Sequence, residues 1–343
     1  MTSLLTVEDL TSPPLGFLSD DLEGEEFYRA FQEAEIDNFE FGYLRVNRDG
    51  LPVATAPYFR TRYYLNTTLK SGWLKKLLRP FWFRIVAVGH PVADHGRIDG
   101  ESSAEVLEAI NAVLSKKASI VAYKDFPLGM PLHGFSIEPD LPVAVLEIKG
   151  DFYSGLKQHI RSDFRRRMRK AKVLRIEEHD GYPAFVADRL YELYLNVYHH
   201  SEFAFEKLNS RFFEKIGPVA KYVLYWEDET LIGFCLLLCG GKRMHYKYLG
   251  MDYERGRTHG LYFIMSLSHI DICLRDGYSI YQTGPTAYAF KERLGSTLQP
   301  VSLYFRHRNP IINWAISRYM AMVSFEPAGR DAPPMEKPAV GAY

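Results

Sequence analysis

The stretch that decides the fold is His245–Asn309, HYKYLGMDYERGRTHGLYFIMSLSHIDICLRDGYSIYQTGPTAYAFKERLGSTLQPVSLYFRHRN. It begins in an aromatic strand that ends at Tyr248-Leu249-Gly250 and passes to a helix running from about Gly260 to Arg275. A strand at Ser279–Gln282, a short helix at Ala287–Leu294 and a strand at Val301–His307 follow. Immediately upstream, three apolar runs, Lys221–Trp226, Leu231–Leu238 and Met244–Gly250, are separated by the turn signals Asp228-Glu229 and Gly240-Gly241. An antiparallel meander, then a helix entered through glycine, then strand, helix and strand predicts a mixed sheet flanked by helices. A helix N-terminus opening beside such a sheet offers backbone N–H groups to an anion, and ligands favour the crevices of α/β sheets.

Working outward, Tyr153–Lys172 reads as a strongly basic helix, Val173–Glu178 as a strand, Pro183–His200 as a long helix and Ser210–Ile216 as a short one. Within the basic helix, Ile160, Phe164 and Met168 recur at i, i+4, i+8 and make one apolar stripe, while Arg161, Arg165, Arg166, Arg169 and Lys170 cover the rest. The first half alternates in the same way. A helix is expected at Glu25–Ile36, strands at Phe39–Val46, Leu51–Arg60 and Phe81–Val88, a helix at Ala104–Lys117, and strands at Ser119–Tyr123 and Val143–Ile148. Gly150-Asp151 reads as the boundary. The expected organisation is an irregular acidic leader at 1–23, a first lobe at 24–150, a second lobe at 151–323 and a disordered proline-rich tail at 324–343. The final helix, Pro310–Met322, is placed in the second lobe.

The His245–Asn309 segment resembles the C-terminal lobe of the GNAT superfamily branch that includes the Fem-type aminoacyl transferases. The resemblance rests on Tyr248-Leu249-Gly250, the glycine-entered helix with Asp271, Gly277 after it, Tyr281-Gln282-Thr283-Gly284, and Phe290-Lys291 followed by Leu294-Gly295. The helix RSDFRRRMRKAKV is similar to the Arg-rich helix that opens that lobe. The implied fold class is α/β (α+β), two tandem GNAT-like lobes, each a mixed, largely antiparallel sheet flanked by helices. The implied activity is an N-acyltransferase that moves an acyl or aminoacyl group from an activated carrier to an amine acceptor, a small molecule or a peptide. No bound cofactor is required. Acyl-CoA is slightly favoured over aminoacyl-tRNA as co-substrate, which keeps tRNA as a candidate partner. The long heptad hairpin that some Fem-type members carry is missing.

Acyl transfer to an amine needs a positioned neutral nitrogen, donors aimed at the developing oxyanion and a proton for the leaving group. Lys291 follows the aromatic turn Tyr288-Ala289-Phe290 near the start of a short helix, where a cation opposes the helix dipole. Local helix stability does not account for it, so it is expected to hold a phosphate or the oxyanion. Tyr246 and Tyr248 are expected to share one strand face, packed on the core, and His245 and Lys247 the other, turned to a groove or to solvent. A Tyr248 hydroxyl could protonate a leaving group and His245 could accept the amine proton. Gln282 and Gly284 end a strand and are expected to shape the cleft floor, with Gly284 permitting close backbone approach. Tyr288 is expected to line the cleft. Arg165 and Arg169 are expected to grip phosphate through guanidinium forks. Arg257-Thr258-His259-Gly260 partly resembles the pyrophosphate loop of acetyl-CoA-using GNATs, making Arg257 and Gly260 cofactor-binding candidates, although Tyr262 stands where that pattern has Gly or Ala.

Composition excludes more than it selects. The chain has 343 residues, 47% hydrophobic, with no net charge and three cysteines. The cysteines, Cys235, Cys239 and Cys273, form no disulfide framework or metal motif, so no metal site is expected. The longest apolar run is too short for a membrane helix and the N-terminus lacks the order of a signal peptide, so a cytoplasmic protein is expected. P-loop, nucleophile-elbow and paired-carboxylate patterns are absent from the sequence. A rival expectation is a non-catalytic GNAT-fold module that binds nucleic acid or an anionic surface through the basic helix at 161–172.

Overall fold

The computed structural model describes residues 4–64, 76–77, 79–80, 82–201, 206–285 and 287–323. In chain order the elements of the first half are β1 (Leu5–Leu10), α1 (Glu25–Glu33), β2 (Phe39–Arg48), β3 (Leu51–Tyr64), β4 (Trp82–Val88), β5 (Asp99–Gly100), α2 (Ala104–Lys117), β6 (Ile120–Phe126) and β7 (Ser136–Pro139). There follow β8 (Val143–Glu147), α3 (Phe152–Gly155), α4 (Gln158–Lys170), β9 (Leu174–Asp180), α5 (Ala187–His200), α6 (Ser210–Lys215), β10 (Ala220–Glu227), β11 (Thr230–Gly240) and β12 (Arg243–Met251). The chain continues with α7 (Tyr253–His259), α8 (Leu261–Asp276), β13 (Ile280–Thr283), α9 (Tyr288–Arg293), β14 (Thr297–Gln299), β15 (Ser302–His307) and α10 (Pro310–Val323).

Two mixed sheets result. One runs β1-β2-β3-β4-β6-β15-β7, with β5 paired to β3; the other runs β14-β8-β13-β12-β11-β10-β9. Among the described residues each contains one parallel pairing, β4 with β6 and β12 with β13. The fold class read from the sequence therefore holds, and no helix among the described residues is long and apolar enough to cross a membrane.

The division of the chain differs from the expected cut at Gly150-Asp151. Among the described residues, one compact unit takes those within 4–142 together with 206–207 and 300–323, and the other takes those within 143–201 and 208–299. β8, read as the last strand of the first lobe, lies instead between β13 and β14 in the second sheet. β15 and α10, read as the close of the second lobe, belong to the first unit, where β15 is hydrogen-bonded to both β6 and β7. Both crossings fall at prolines, Pro142 and Pro300. A proline cannot donate to a ladder and forces the residue before it into extended backbone, so it ends one strand without continuing it into the next.

The acidic leader is also more ordered than its composition suggests. β1 pairs antiparallel with β2, and its carboxylates are spent locally: Asp9 accepts from Tyr58 at 2.8 Å and pairs with Lys117, and Glu8 accepts from Asn47 at 2.9 Å. The expected disordered tail lies outside the described residues. Of the four tryptophans, Trp226 is buried, Trp82 and Trp314 are exposed, and Trp73 lies outside the described residues.

In the second unit the α4 stripe behaves as read: Phe164 is buried, with Ile160 and Met168 packed beside it against α8 and β12 residues. α8 is buried along most of its length, which is why its apolar residues run almost continuously instead of in a stripe. In the first unit Phe305 of β15 is buried with Phe59, Ala87, Ile120 and Ala122. Truncating it tests the strand exchange. Phe305→Ala is expected to cost about 3–5 kcal/mol and to speed amide hydrogen exchange in β6 and β7 while leaving β10–β12 protected. Faster exchange confined to β10–β12 would return β15 to the second sheet.

Candidate functional site

The site is built on β12. Its register with β11 skips a residue: Leu236 faces Tyr248 and Leu237 faces Tyr246, so Lys247 is the extra residue of a bulge. A bulge resets the two-residue alternation of a strand and re-aims the side chains beyond it. Tyr246 and Tyr248, expected on one face, therefore stand on opposite faces. Tyr246 meets His269 of α8 edge-on at 4.8 Å, whereas Tyr248 packs on Phe212 at 5.7 Å and on Tyr194 at 6.4 Å. His245 is not turned to solvent: it is 2% exposed, with its Nε2 3.4 Å from Gln282 Nε2, and Gln282 is buried as well. Lys247 is half-buried.

The bulge coincides with a parting of strands. β13 pairs with β12 only from Arg243–Ile280 to Tyr246–Thr283, while β12 runs on to Met251. Gly284 sits where the two separate. A Cβ built there would have Tyr246 O, 4.0 Å away, as its nearest neighbour among the described residues, so none of them crowds the position.

The far side of this gap is the turn into α9. Lys291, 5% exposed, directs its ammonium at the carbonyl of Gly284 and, at 3.4 Å, at that of Pro285, and lies 5.8 Å from the Tyr288 ring centre. α9 has only six residues, so Lys291 falls in its last turn and does not oppose the helix dipole. Lys291, Tyr288 and Gly284 are thus brought together as the sequence suggested, by an ammonium that ties the turn closed.

At the other end of the gap, α7 and α8 meet at Gly260, which adopts a left-handed conformation with φ of 67°. A residue that sequence reading passed over lies here. Arg167 of α4 has its Nη1 3.7 Å from where a Gly260 Cβ would stand, and its guanidinium is 4.1 Å from the Phe263 ring centre. Its Nε donates to Asp163 at 2.8 Å, and Asp163 also accepts from Arg166 at 2.6 Å. Burial raises the Asp163 carboxyl, but the two guanidiniums outweigh it and hold the group below its ordinary range. The signal was available as an Asp–Arg pair at i, i+4 on a helix. The arginines expected to serve, Arg165 and Arg169, are exposed. Arg257 is exposed on α7, 5.6 Å from the Tyr253 ring centre. Tyr262 is turned onto Phe290, with ring centres 5.7 Å apart.

Comparison with known proteins bears on the family and the fold. Residues 158–292 match the acetyltransferase (GNAT) domain family. No curated protein matches the sequence. Among solved structures the chain is similar to FemX, with a TM-score of 0.54 at 13% identity over 84% of this chain and 93% of that one. A conserved protein of unknown function from Bacteroides thetaiotaomicron gives a TM-score of 0.52 at 8% identity over 80% and 88%. The C-terminal domain (DUF2156) of an Agrobacterium fabrum protein named for lysylphosphatidylglycerol synthesis gives 0.50 at 13% identity over 79% and 86%. At these identities the likeness is one of fold.

Beneath the gap, α8 carries a buried polar group that joins it to the sheet. His269 has its Nδ1 2.8 Å from the Tyr281 hydroxyl, and the Tyr225 hydroxyl lies 2.7 Å from Ser268 Oγ. Burial pushes the His269 imidazole down to about 3, so it stays neutral in the folded chain. An unfolded chain protonates it near pH 6.5, and stability is therefore lost progressively as pH falls from about 6.5 toward 3. Between pH 7 and pH 5 this group alone is expected to remove about 2 kcal/mol. Urea unfolding of His269→Gln at the two pH values checks this: the variant should lose about 2 kcal/mol less than the parent over that interval, and an equal loss would show that His269 is not the group responsible.

Proposed function

We propose, from the match of residues 158–292 to the acetyltransferase (GNAT) domain family, that the chain transfers an acyl group from an acyl-CoA thioester to an amine nitrogen, with the donor's phosphates held at the N-terminus of α8. The observation that carries this reading is Arg167. Its guanidinium is fixed beside Gly260 by Asp163 and Phe263, at a helix end that already favours anions. A phosphate there meets oriented amides and a guanidinium with little reorganisation. Tyr262, whose bulk would otherwise stand in the way, is engaged with Phe290.

From that anchor the thioester enters the gap between β12 and β13, beside Gly284. The neutral amine attacks the carbonyl carbon. A C–N bond forms, the C–S bond breaks, the thiolate leaves, and the nitrogen gives up a proton. His245, next to Gln282, is the base for that proton, and the Tyr248 hydroxyl supplies one to the departing sulfur. Lys291 acts by position: it holds the carbonyls of Gly284 and Pro285 and so fixes the turn that carries Tyr288 along the cleft. Arg257, on the exposed face of α7, lies within the same helix–glycine–helix junction and adds positive charge there.

A second reading keeps the chemistry and changes the donor. Arg165, Arg166 and Arg169 form an exposed cationic face on α4, which suits a polyanionic backbone and would favour aminoacyl-tRNA. The same face serves the non-catalytic alternative.

Thiol release from a panel of acyl-CoAs with varied amines tests the proposal. Arg167→Ala is expected to raise the KM for acyl-CoA by about tenfold or more with kcat nearly unchanged, the pattern of a lost binding contact, while Arg165→Ala leaves both constants as they are. His245→Gln should lower kcat by about 10²–10⁴-fold. If Arg165→Ala and Arg167→Ala weaken the donor equally, the α8 site is not where it binds. If no acyl-CoA is consumed but filter-retained tRNA is lost on raising salt, the donor assignment passes to aminoacyl-tRNA.

Lys291 gives a separate test. Lys291→Met keeps the stem and removes the ammonium, so the turn at Gly284–Pro285 loses its donor. Turnover should fall by about tenfold or more while near-ultraviolet circular dichroism stays native. Undiminished turnover would remove Lys291 from the site.

A further inference from the structure

The first unit holds a cavity of about 530 Å³ that acyl transfer in the second unit does not use. Its lining includes Arg60, Arg62 and Arg84, one carboxylate, Glu40, and the side chains of Asn38 and Tyr64. The sheet register explains how these charges come together. Glu40 on β2 is directly opposite Arg60 on β3, and Arg62 on β3 is directly opposite Arg84 on β4. Residues two apart on a strand and residues directly opposite across a ladder share a face. Four charged side chains therefore stand on one face of three adjacent strands.

They are not balanced. Arg60 forms an ion pair with Glu40. Arg62 and Arg84 have no carboxylate in ion-pair range among the described residues. Like charges directly opposite on an antiparallel pair are destabilising, so this pair is held together against its own repulsion. Arg62 is also held in place. Asn38, in a left-handed conformation with φ of 71°, accepts from the Arg62 backbone N–H at 3.2 Å and donates to the Arg62 carbonyl at 3.1 Å and to Thr61 Oγ1 at 2.8 Å. The Arg62 guanidinium lies 5.1 Å from the Trp82 ring centre. Two cations, one with its backbone clamped and its guanidinium stacked, thus face a cavity large enough for a small organic ligand.

We propose that this cavity binds a phosphate-bearing ligand, with Arg62 and Arg84 gripping a phosphate or diphosphate group between them. A planar guanidinium matches phosphate oxygens two at a time. A dianion neutralises both members of the pair, which a single carboxylate does not. The rest of the cavity, with Phe39 and Tyr64, takes the group the phosphate is attached to. The phosphate can come from a soluble phosphate ester or from a lipid headgroup, and the exposed Trp82 beside Arg62 suits either.

The test uses the full chain and two probes, inorganic pyrophosphate by titration calorimetry, and phosphatidylcholine vesicles containing phosphatidic acid by sedimentation. The wild-type chain should bind at least one probe, and the affinity should fall when salt is raised from about 50 to about 500 mM. R62Q and R84Q should each weaken that binding by about tenfold or more, and the double variant should abolish it. Both positions are exposed, and removing one of two facing cations should leave the ligand-free melting temperature no lower than that of the wild type. The stabilisation that pyrophosphate gives the wild type should be lost in the double variant. Pyrophosphate binding identifies a soluble ligand, and vesicle binding alone identifies a headgroup; both support the site. Failure of the wild type to bind either probe, or unchanged binding by the double variant, overturns it.

Discussion

The bulge at Lys247 is the constraint on which the second unit depends. A regular β12 would keep Tyr246 and Tyr248 on one face and would have no reason to part from β13 after Tyr246. One inserted residue changes both. It sends Tyr246 to the α8 side, where His269, Tyr281 and Tyr225 form a buried polar group, and Tyr248 to the α5–α6 side, among Phe212, Phe213 and Tyr194. The aromatic packing on both faces then fixes the strand at the point where it parts from its neighbour.

Glycine contacts show how tightly that arrangement is held. A Cβ at Gly250 would come within 2.2 Å of the Phe234 ring and 2.7 Å of the Tyr194 backbone nitrogen, and one at Gly233 within 2.7 Å of Leu261 and Met265. α5 and α8 therefore approach the sheet so closely on its two faces that only hydrogen fits. At Gly284 the opposite holds. The same strands are tightly packed at Gly250 and Gly233 and uncrowded at Gly284.

Much of this was legible in the sequence, and the failures have physical causes. Local periodicity located nearly every long helix and strand, because β10, β11 and α8 each carry their pattern within a few residues. Strand membership was not legible, because β8 and β15 find their partners far along the chain and their own residues do not say in which sheet. Facing was misread at Tyr246 and Tyr248 because alternation was counted through a bulge that leaves no mark in composition. Lys291 and Gly284 were correctly placed together, but the sequence could not distinguish a lysine that meets a ligand from one that ties a turn. Arg167 was passed over because a basic helix offers many arginines, and the sequence does not say which of them lies beside Gly260.

The contrast between Arg167 and the Arg62–Arg84 pair bears on what each can bind. Arg167 is already half-neutralised by Asp163, a carboxylate it shares with Arg166, so its contribution to an anion is mainly direction: a guanidinium edge set beside a helix end. Direction of that kind favours a ligand whose charge is fixed at a known distance from its reactive atom, because misplacement by even about 1 Å is costly at the reacting centre. Among the described residues Arg62 and Arg84 have no carboxylate partner, and Arg62 is the better constrained of the two. Their field is stronger and less oriented, which suits holding a charged group more than aligning a bond. On the proposed reading, therefore, the oriented guanidinium of Arg167 suits alignment of a donor beside α8, and the Arg62–Arg84 pair suits retention of a charged group.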